Sequence, residues 1–237
     1  MKTTIAIIGA GIAGITLARE LSPIAEVSLF EKSRGLGGRM ANRRRSGFAF
    51  DHGAQYFTAR SPAFRAVAQQ AIGAGHVGIW PKAVHTLSTR ALVPDSRALE
   101  PRYIGLPGMS GLANGLAEGL HIRKEATVAA LTRSSHGWRL SESDGADLGH
   151  FDLVISTAPA PQTLRLMPET FSGRDALASV RMSGCFTLMI GLDAPLDLGF
   201  DAARIEDDVL SWVALETSKP GRSDRTALTV HSRNDWA

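Results

Sequence analysis

A glycine-rich segment near the N-terminus constrains the fold more than any other part of the sequence. Residues 4–8, TIAII, form an apolar run that is typical of a strand buried on both faces of a parallel sheet. A G-x-G-x-x-G pattern follows at once and opens a helical segment, with its glycines at Gly9, Gly11 and Gly14. Residues 26–30, EVSLF, predict a second strand. This strand–helix–strand order predicts a right-handed parallel unit with a dinucleotide-binding loop.

The glycines and one acidic residue suit a bound diphosphate and its ribose. The first glycine permits a tight turn, the second lets the backbone approach a pyrophosphate, and the third lets the helix pack on the strand. The phosphates then face the positive end of the helix. Glu31 closes the second strand, where a carboxylate can accept hydrogen bonds from both ribose hydroxyls. Glu31 would repel a 2′-phosphate, which leaves NAD and FAD; the alternative is that the glycines serve packing alone.

Composition narrows the class of protein. A chain of 237 residues with 44% hydrophobic content can bury one large core or two modest ones. Cys185 is the only cysteine, so an intrachain disulfide and a cysteine-based zinc site are excluded. The formal net charge is +3, and no apolar run is long enough to span a bilayer. We therefore expect a cytoplasmic protein without a membrane segment.

The rest of the chain predicts a second helix, a meander and a later group of strands. Ser61-Pro62 reads as a helix N-cap with proline at the first helical position, and another helix is expected after Ser110. Leucines at four-residue spacing support that helix, with Leu120 as its last member. Strands are then expected in 127–133, 137–143, 150–158, 185–192 and 209–216. The first three form a meander that returns the chain to a central buried strand.

Several short motifs, taken in order, resemble a known family. Gly37-Gly38-Arg39, shortly after Glu31, resembles the second cofactor motif of FAD-dependent amine oxidases and their relatives. Residues 51–58, DHGAQYFT, and 108–110, GMS, narrow the resemblance to the bacterial renalase-type flavoproteins. The resemblance covers essentially the whole chain, through 157–161 and 218–222.

The resemblance implies an α/β fold with two domains. The larger is a Rossmann-like FAD-binding domain with a parallel sheet and a β-meander, over residues 1–75 and 101–165. The smaller is an α+β substrate domain with an antiparallel sheet, over 76–100 and 166–237. Related proteins continue past the strand that ends near Val230, so the resemblance also implies a missing C-terminal segment and weaker FAD retention.

The resemblance implies FAD as the cofactor and assigns residues to it. Arg39 is also supported by its chemistry, since a guanidinium can donate forked hydrogen bonds to phosphates and the adjacent glycines permit close approach. Gln55 and Tyr56 are expected along the flavin end, and Val128 beside the adenine. The full set of expected cofactor-binding residues is Gly9, Gly11, Ala13, Gly14, Glu31, Lys32, Gly38, Arg39, Gln55, Tyr56 and Val128.

The implied chemistry is hydride transfer from a reduced carbon to flavin N5, with oxygen as the reoxidant and hydrogen peroxide as the product. Because the cofactor performs the hard step, no metal is expected and no catalytic residue is assigned. Renalase-type enzymes oxidise isomers of dihydronicotinamide dinucleotides, whereas other relatives are amine oxidases. The expected partners are therefore a small-molecule substrate and oxygen, with no nucleic acid and no membrane.

Two other interpretations stay open. Arg34, Arg39 and Arg43–Arg45 could form a basic nucleic-acid-binding surface, although we expect the last three to be a solvated run. The chain could also be a non-catalytic dinucleotide-binding remnant. The seven histidines lack metal-ligand spacing, and only His52 lies in a flavin-side motif. Cys185 is expected to be a buried, inert thiol, and the four tryptophans are expected in the core or at a domain interface.

Overall fold

The computed structural model describes residues 2–89, 91–95 and 100–237. The chain divides into two compact units: Met1–Gly38 with Leu116–Met182, and Arg39–Gly115 with Ser183–Ala237. This division differs from the expected boundaries, since 39–75 and 101–115 lie in the second unit and 166–182 lie in the first. That the first unit serves FAD and the second serves the substrate remains a prediction.

Strands outnumber helices within the described ranges. The strands are β1 (Thr4–Ile8), β2 (Glu26–Glu31), β3 (Arg43–Arg45), β4 (Phe48–Phe50), β5 (Val77–Trp80), β6 (Val84–Leu87), β7 (Leu92–Pro94), β8 (Arg102–Gly105), β9 (Ile122–Lys124), β10 (Ala130–Ser134), β11 (Gly137–Ser141), β12 (Asp147–Phe151), β13 (Leu153–Ser156), β14 (Thr187–Gly191), β15 (Ala202–Ile205), β16 (Leu210–Leu215) and β17 (Ala227–Ser232). The helices are α1 (Ile12–Leu21), α2 (Pro62–Gly73), α3 (Gly111–Leu116), α4 (Ala160–Leu166) and α5 (Arg174–Ser179). Of the helices in the described ranges, none has the length and apolar character needed to cross a bilayer.

The first unit is built on a parallel sheet with the strand order β13-β1-β2-β9. The expected β1–α1–β2 unit is confirmed, and β1 lies between its two parallel neighbours. Ala6, Ile8 and Phe30 are buried in the apolar core of this unit. The central position of β1 explains its continuous apolar run, because both faces of the strand are covered.

The meander of the first unit is confirmed, with one correction. β10, β11 and β12 pair in order and antiparallel. The expected strand over 150–158 is instead two strands, the end of β12 and the whole of β13, with Asp152 between them. Asp152 Oδ2 accepts hydrogen bonds from the Thr4 amide at 2.8 Å and the Thr4 hydroxyl at 2.9 Å. These bonds fix the break where the chain leaves the meander and joins the parallel sheet.

The second unit contains a six-stranded sheet with the order β14-β17-β16-β15-β6-β7. Its pairings are antiparallel except for β15 with β6. A buried cluster that includes Trp80, Met109 and Trp212 forms one core of this unit. Tyr56 and Phe57 are half-buried and pack against that cluster. The expected run at Arg43–Arg45 is an exposed strand, β3, paired with β4.

The two predicted helices have different outcomes. Ser61 is the N-cap of α2, accepts from the Phe64 amide at 3.2 Å and precedes a proline in the first turn, as expected. The helix after Ser110 is shorter than predicted, because α3 ends at Leu116. Gly119 then adopts a φ of 78°, a left-handed conformation that cannot continue the helix towards Leu120.

Two expected burials are wrong. Cys185 is exposed, since it precedes β14 and lies outside the sheet. Trp236 is 53% exposed and meets the ring of Phe186 edge-on, with the ring centroids 5.7 Å apart. The expectation is confirmed for Trp80 and Trp212, which are buried.

Candidate functional site

The glycine loop of the first unit has the geometry that a dinucleotide requires. Gly9 has a φ of 104°, a conformation that side chains rarely permit. A Cβ atom at Gly14 would lie 2.0 Å from the carbonyl oxygen of Gly9, so glycine is needed for the contact between helix and loop. A Cβ atom at Gly11 would meet nothing within 4 Å. The backbone at Gly11 therefore faces open space in this unit, as expected where a diphosphate approaches it.

Glu31 lies beside this loop and is already tied to it. The side chain is buried, with Oε2 accepting from the Ala10 amide at 2.9 Å and Oε1 accepting from the Ser33 amide at 2.8 Å. A carboxylate offers about four lone-pair positions, so acceptor capacity remains for ribose hydroxyls. The residues of this unit fit an adenosine diphosphate. Glu31 also shapes the loop, a second role that its place in the sequence does not indicate.

The remaining expected residues of the first unit are Ala13, Lys32, Gly38 and Val128. Gly38 follows Gly37, whose amide donates to the carbonyl of Ala10 at 2.9 Å, so this second glycine segment lies against the first. Val128 is buried in the same core as Ile8, between β9 and β10 rather than within a strand. Gly38, Ala13 and Lys32 are exposed.

In the second unit, Arg39 is held through its backbone. Its carbonyl accepts from the Ala54 amide at 2.9 Å, and a Cβ atom at Gly53 would lie 2.1 Å from that carbonyl oxygen. The DHG motif therefore needs glycine at position 53, because a side chain there would clash with the Arg39 carbonyl. The Arg39 side chain is exposed, and within the described parts of the chain its guanidinium has no hydrogen-bond or ion-pair partner.

Asp51 brings together the motifs that the sequence places far apart. Its Oδ1 accepts from Asn42 at 2.8 Å and from the Met109 amide at 2.9 Å. Its Oδ2 accepts from Lys219 at 3.2 Å and from Arg222 at 2.5 Å. Segments 51–58, 108–110 and 218–222 thus meet at one fully buried carboxylate of the second unit.

Lys219 and Glu216 complete this buried charge cluster. Lys219 Nζ donates to Glu216 Oε2 and to Gln55 Oε1, both at 3.0 Å, and its side chain is wholly buried. Burial opposes the ionisation of Asp51, but Lys219 and Arg222 outweigh it and lower its pKa. Burial raises the pKa of Glu216, with Lys219 acting against that rise.

Sequence reasoning assigns no role to Asp51, Glu216 or Lys219, although it assigns Gln55 to the cofactor. The one feature of the sequence that could have indicated a role for Lys219 is that segment 218–222 contributes to the family resemblance. Lys219 reaches Asp51 across 168 positions of the chain, a separation at which local pattern carries no information about pairing.

Gln55 and Tyr56 line a cavity of about 330 Å³ in the second unit. The Gln55 amide is engaged by the carbonyls of Asp51 and Gly53 and by Lys219, so its side chain belongs to the charge cluster. The cavity is lined by Gly53, Ala54, Gln55, Tyr56, Arg204, Ser211, Trp212 and His231. Gln55 therefore links the charge cluster to the cavity wall.

Among the described residues, the cavity lining contains one charged side chain, that of Arg204. Hydrogen bonds hold this side chain on two sides. Its Nε donates to Asp95 at 2.9 Å and its Nη2 donates to the Tyr56 hydroxyl at 2.9 Å. Its guanidinium lies 5.8 Å from the centroid of the Trp212 ring. The charge of Arg204 is thus balanced by a carboxylate outside the lining.

His52 and His231 are linked through a backbone carbonyl. His231 Nε2 lies 3.2 Å from the His52 carbonyl oxygen, which also accepts from the Thr187 hydroxyl at 2.9 Å. Burial lowers the pKa of His231, and burial with the nearby Arg43 lowers the pKa of His52. Both rings are therefore neutral near pH 7. His52 does not line the cavity, whereas His231 does.

A parallel sheet, a Gly-x-Gly-x-x-Gly loop and an acidic residue ending the second strand define a dinucleotide-binding protein of the Rossmann-like class. Residues 7–71 match the NAD(P)-binding Rossmann-like domain, and residues 74–222, more than half of the chain, match the flavin containing amine oxidoreductases. The chain belongs to the flavin containing amine oxidoreductase family, and its cofactor is FAD.

Individual relatives extend the comparison. A 4,4′-diapophytoene desaturase of Staphylococcus aureus (strain Newman) is 44% identical over 50 residues, which cover 21% of this chain and 10% of the desaturase. The match thus spans about a tenth of that curated relative. Reduced UDP-galactopyranose mutase has a TM-score of 0.77 at 13% identity, over 99% of this chain and 75% of the mutase.

Two further solved structures share the fold. Putrescine oxidase, in its wild-type form bound to putrescine, has a TM-score of 0.73 at 12% identity, over 100% of this chain and 76% of the oxidase. An oxidoreductase from Methanosarcina mazei has a TM-score of 0.66 at 15% identity, over 97% of this chain and 78% of that protein. At these identities the likeness establishes the fold.

Proposed function

We propose that this protein is a FAD-dependent oxidase that takes hydride from a reduced nicotinamide ring, in the manner of the renalase-type flavoproteins. The substrate loses a hydride, which carries two electrons, and becomes the oxidised pyridinium. Oxygen takes up the two electrons with two protons and leaves as hydrogen peroxide. FAD, when bound, supplies the two-electron acceptor between them.

The residues that would hold FAD are those the resemblance implied, with refined roles. In the first unit, Gly11 and Gly14 shape the loop for the diphosphate and Glu31 accepts from the ribose. In the second unit, Arg39 offers an exposed guanidinium. Gln55 has its side-chain amide engaged elsewhere, so its contribution would come through its backbone. The remaining contacts that the resemblance implies would come from Gly9, Ala13, Lys32, Gly38, Tyr56 and Val128.

The residues that line the cavity favour a dihydronicotinamide substrate over an amine. Among the described residues its one charged side chain is the cation Arg204, and none of the described carboxylates lines it. A protonated amine would find no carboxylate among these lining residues, and burying a charge without a counter-charge is costly. A neutral ring avoids that cost and can stack against Tyr56 and Trp212, whose ring centroids lie 6.0 Å apart. This observation favours a dihydronicotinamide over an amine.

Anaerobic mixing of the purified holoprotein with each substrate class tests the proposal. An isomeric dihydronicotinamide dinucleotide should bleach the visible flavin band, and admission of air should restore the band with formation of hydrogen peroxide. Putrescine and benzylamine should leave the band unchanged. Bleaching by an amine with no response to dihydronicotinamides would establish the amine oxidase alternative instead.

A further inference from the structure

Trp212 and His231 are directly opposite each other on neighbouring strands. They are register partners between β16 and β17, so their side chains project from the same face of the sheet. Both line the cavity of the second unit. The register shifts between Leu210 and Trp212, and such bulges re-aim side chains. Two polar rings are therefore presented side by side to one ligand space.

Trp212 lines the cavity, and its indole carries a buried donor. Its side chain is 6% exposed, and across the described ranges Nε1 has no hydrogen-bond partner. Buried donors in native proteins are nearly always satisfied, so an unsatisfied one on a residue that lines a cavity points to an acceptor supplied by a ligand. The nearby Arg204 cannot supply this acceptor, because a guanidinium only donates.

His231 presents the opposite hydrogen-bonding character. The His52 carbonyl can only accept, so His231 Nε2 must carry the proton and donate to it. Because burial lowers the pKa of His231, the ring is neutral near pH 7 and its Nδ1 keeps a lone pair. The two facing residues of the cavity lining thus carry an N–H donor and a nitrogen acceptor on adjacent strands.

We propose that Trp212 and His231 together recognise a carboxamide, with the indole N–H donating to the amide oxygen and His231 Nδ1 accepting from the amide NH₂. This assignment rests on the proposed function, in which the ligand is a nicotinamide ring. A carboxylate fits the pair less well, because it has no proton to donate to Nδ1. Arg204 does not compensate, since Asp95 already balances its charge at 2.9 Å.

Calorimetric titration of the oxidised holoprotein with nicotinamide, nicotinate and 3-methylpyridine tests the pair. Nicotinamide should bind the wild type most tightly. Trp212→Phe removes the N–H and keeps a ring, and it should weaken nicotinamide about fivefold to tenfold while leaving 3-methylpyridine unchanged. Trp138→Phe, which changes a tryptophan of the first unit, should alter neither.

Retention of the nicotinamide preference by Trp212→Phe, or tighter binding of nicotinate by the wild type, would overturn the assignment. If Trp212→Phe lacks a cooperative thermal transition, His231→Phe must lose the same preference, and its failure to do so is equally decisive. The outcomes separate from those of the proposed function. If dihydronicotinamide bleaches the flavin but Trp212→Phe keeps the nicotinamide preference, only the role of Trp212 and His231 is wrong. If Trp212→Phe loses that preference but dihydronicotinamide does not bleach the flavin, only the proposed reaction is wrong.

Discussion

Gly11 and Gly14 lie in one loop, but their surroundings give them different tasks. Gly14 is confined by the carbonyl oxygen of Gly9, which would lie 2.0 Å from an added Cβ atom, so Gly14 serves the packing of α1. Gly11 has a φ of −74° and open space around it, so the fold of the chain itself does not require glycine there. A bound diphosphate would require glycine at position 11, whereas the packing of the chain does not.

Alanine substitutions should separate these two tasks. Gly14→Ala should lower the free energy of unfolding of the apoprotein by about 2–3 kcal/mol, because a methyl group is forced against backbone. Gly11→Ala should cost the apoprotein less than about 1 kcal/mol, as expected for an N-cap glycine. It should nevertheless weaken FAD binding about tenfold or more, because the methyl group would occupy the space that the diphosphate needs. Urea denaturation of the apoprotein and fluorescence titration with FAD measure the two effects.

Full FAD affinity in Gly11→Ala would mean that the open space at Gly11 is not where the cofactor approaches. In that case glycine at position 11 would serve neither the packing of the apoprotein nor the binding of the cofactor.

At the scale of elements, the second unit is organised by charge rather than by apolar packing alone. The segment after β4 and the segment after β16 are joined through Asp51 and Lys219, whose side chains are both 0% exposed. Glu216 is held in the same cluster and accepts from Thr229 on β17 at 2.6 Å. These contacts fix Gln55, and with it one wall of the cavity.

Removing the central cation should therefore be costly. Lys219→Met should lower the free energy of unfolding by about 3–5 kcal/mol, because Asp51 and Glu216 are left buried with an incomplete set of partners. Lys82→Met is the matched control, since Lys82 pairs with Asp201 at 3.5 Å while about half exposed. It should cost at most about 1 kcal/mol. Equal midpoints for the two variants in urea denaturation would contradict the role given to the cluster.

At the scale of the whole molecule, features that depend on neighbouring residues are predictable from the sequence, whereas features that depend on residues far apart in the chain are not. β1, α1 and β2 follow from local periodicity and a glycine loop, and their bounds lie close to those expected. The break at Asp152 depends on Thr4, 148 positions away, so local pattern merges β12 and β13 into one strand. The cavity wall is equally non-local, since Tyr56 and Arg204 are joined across 148 positions. The cofactor class is thus accessible from sequence, whereas the ligand-facing surface is not.

The compact units of the folded chain do not coincide with the expected domain boundaries. The expected boundary near residue 75 follows the end of a predicted helix, whereas the contacts of the folded chain change at Gly38 and Arg39. A boundary within a short glycine segment leaves no composition shift for sequence reasoning to detect. The second glycine motif therefore marks a structural transition as well as an expected cofactor contact.

The FAD content of the purified protein tests the central claim most directly. Arg39 and Arg44 are both exposed, so alanine at either position should leave the fold intact. Arg44→Ala should carry as much FAD as the wild type, and Arg39→Ala should lose it. Colourless wild-type protein that fails to take up added FAD and binds DNA in a salt-sensitive manner, or FAD loss in Arg44→Ala alone, would contradict the account.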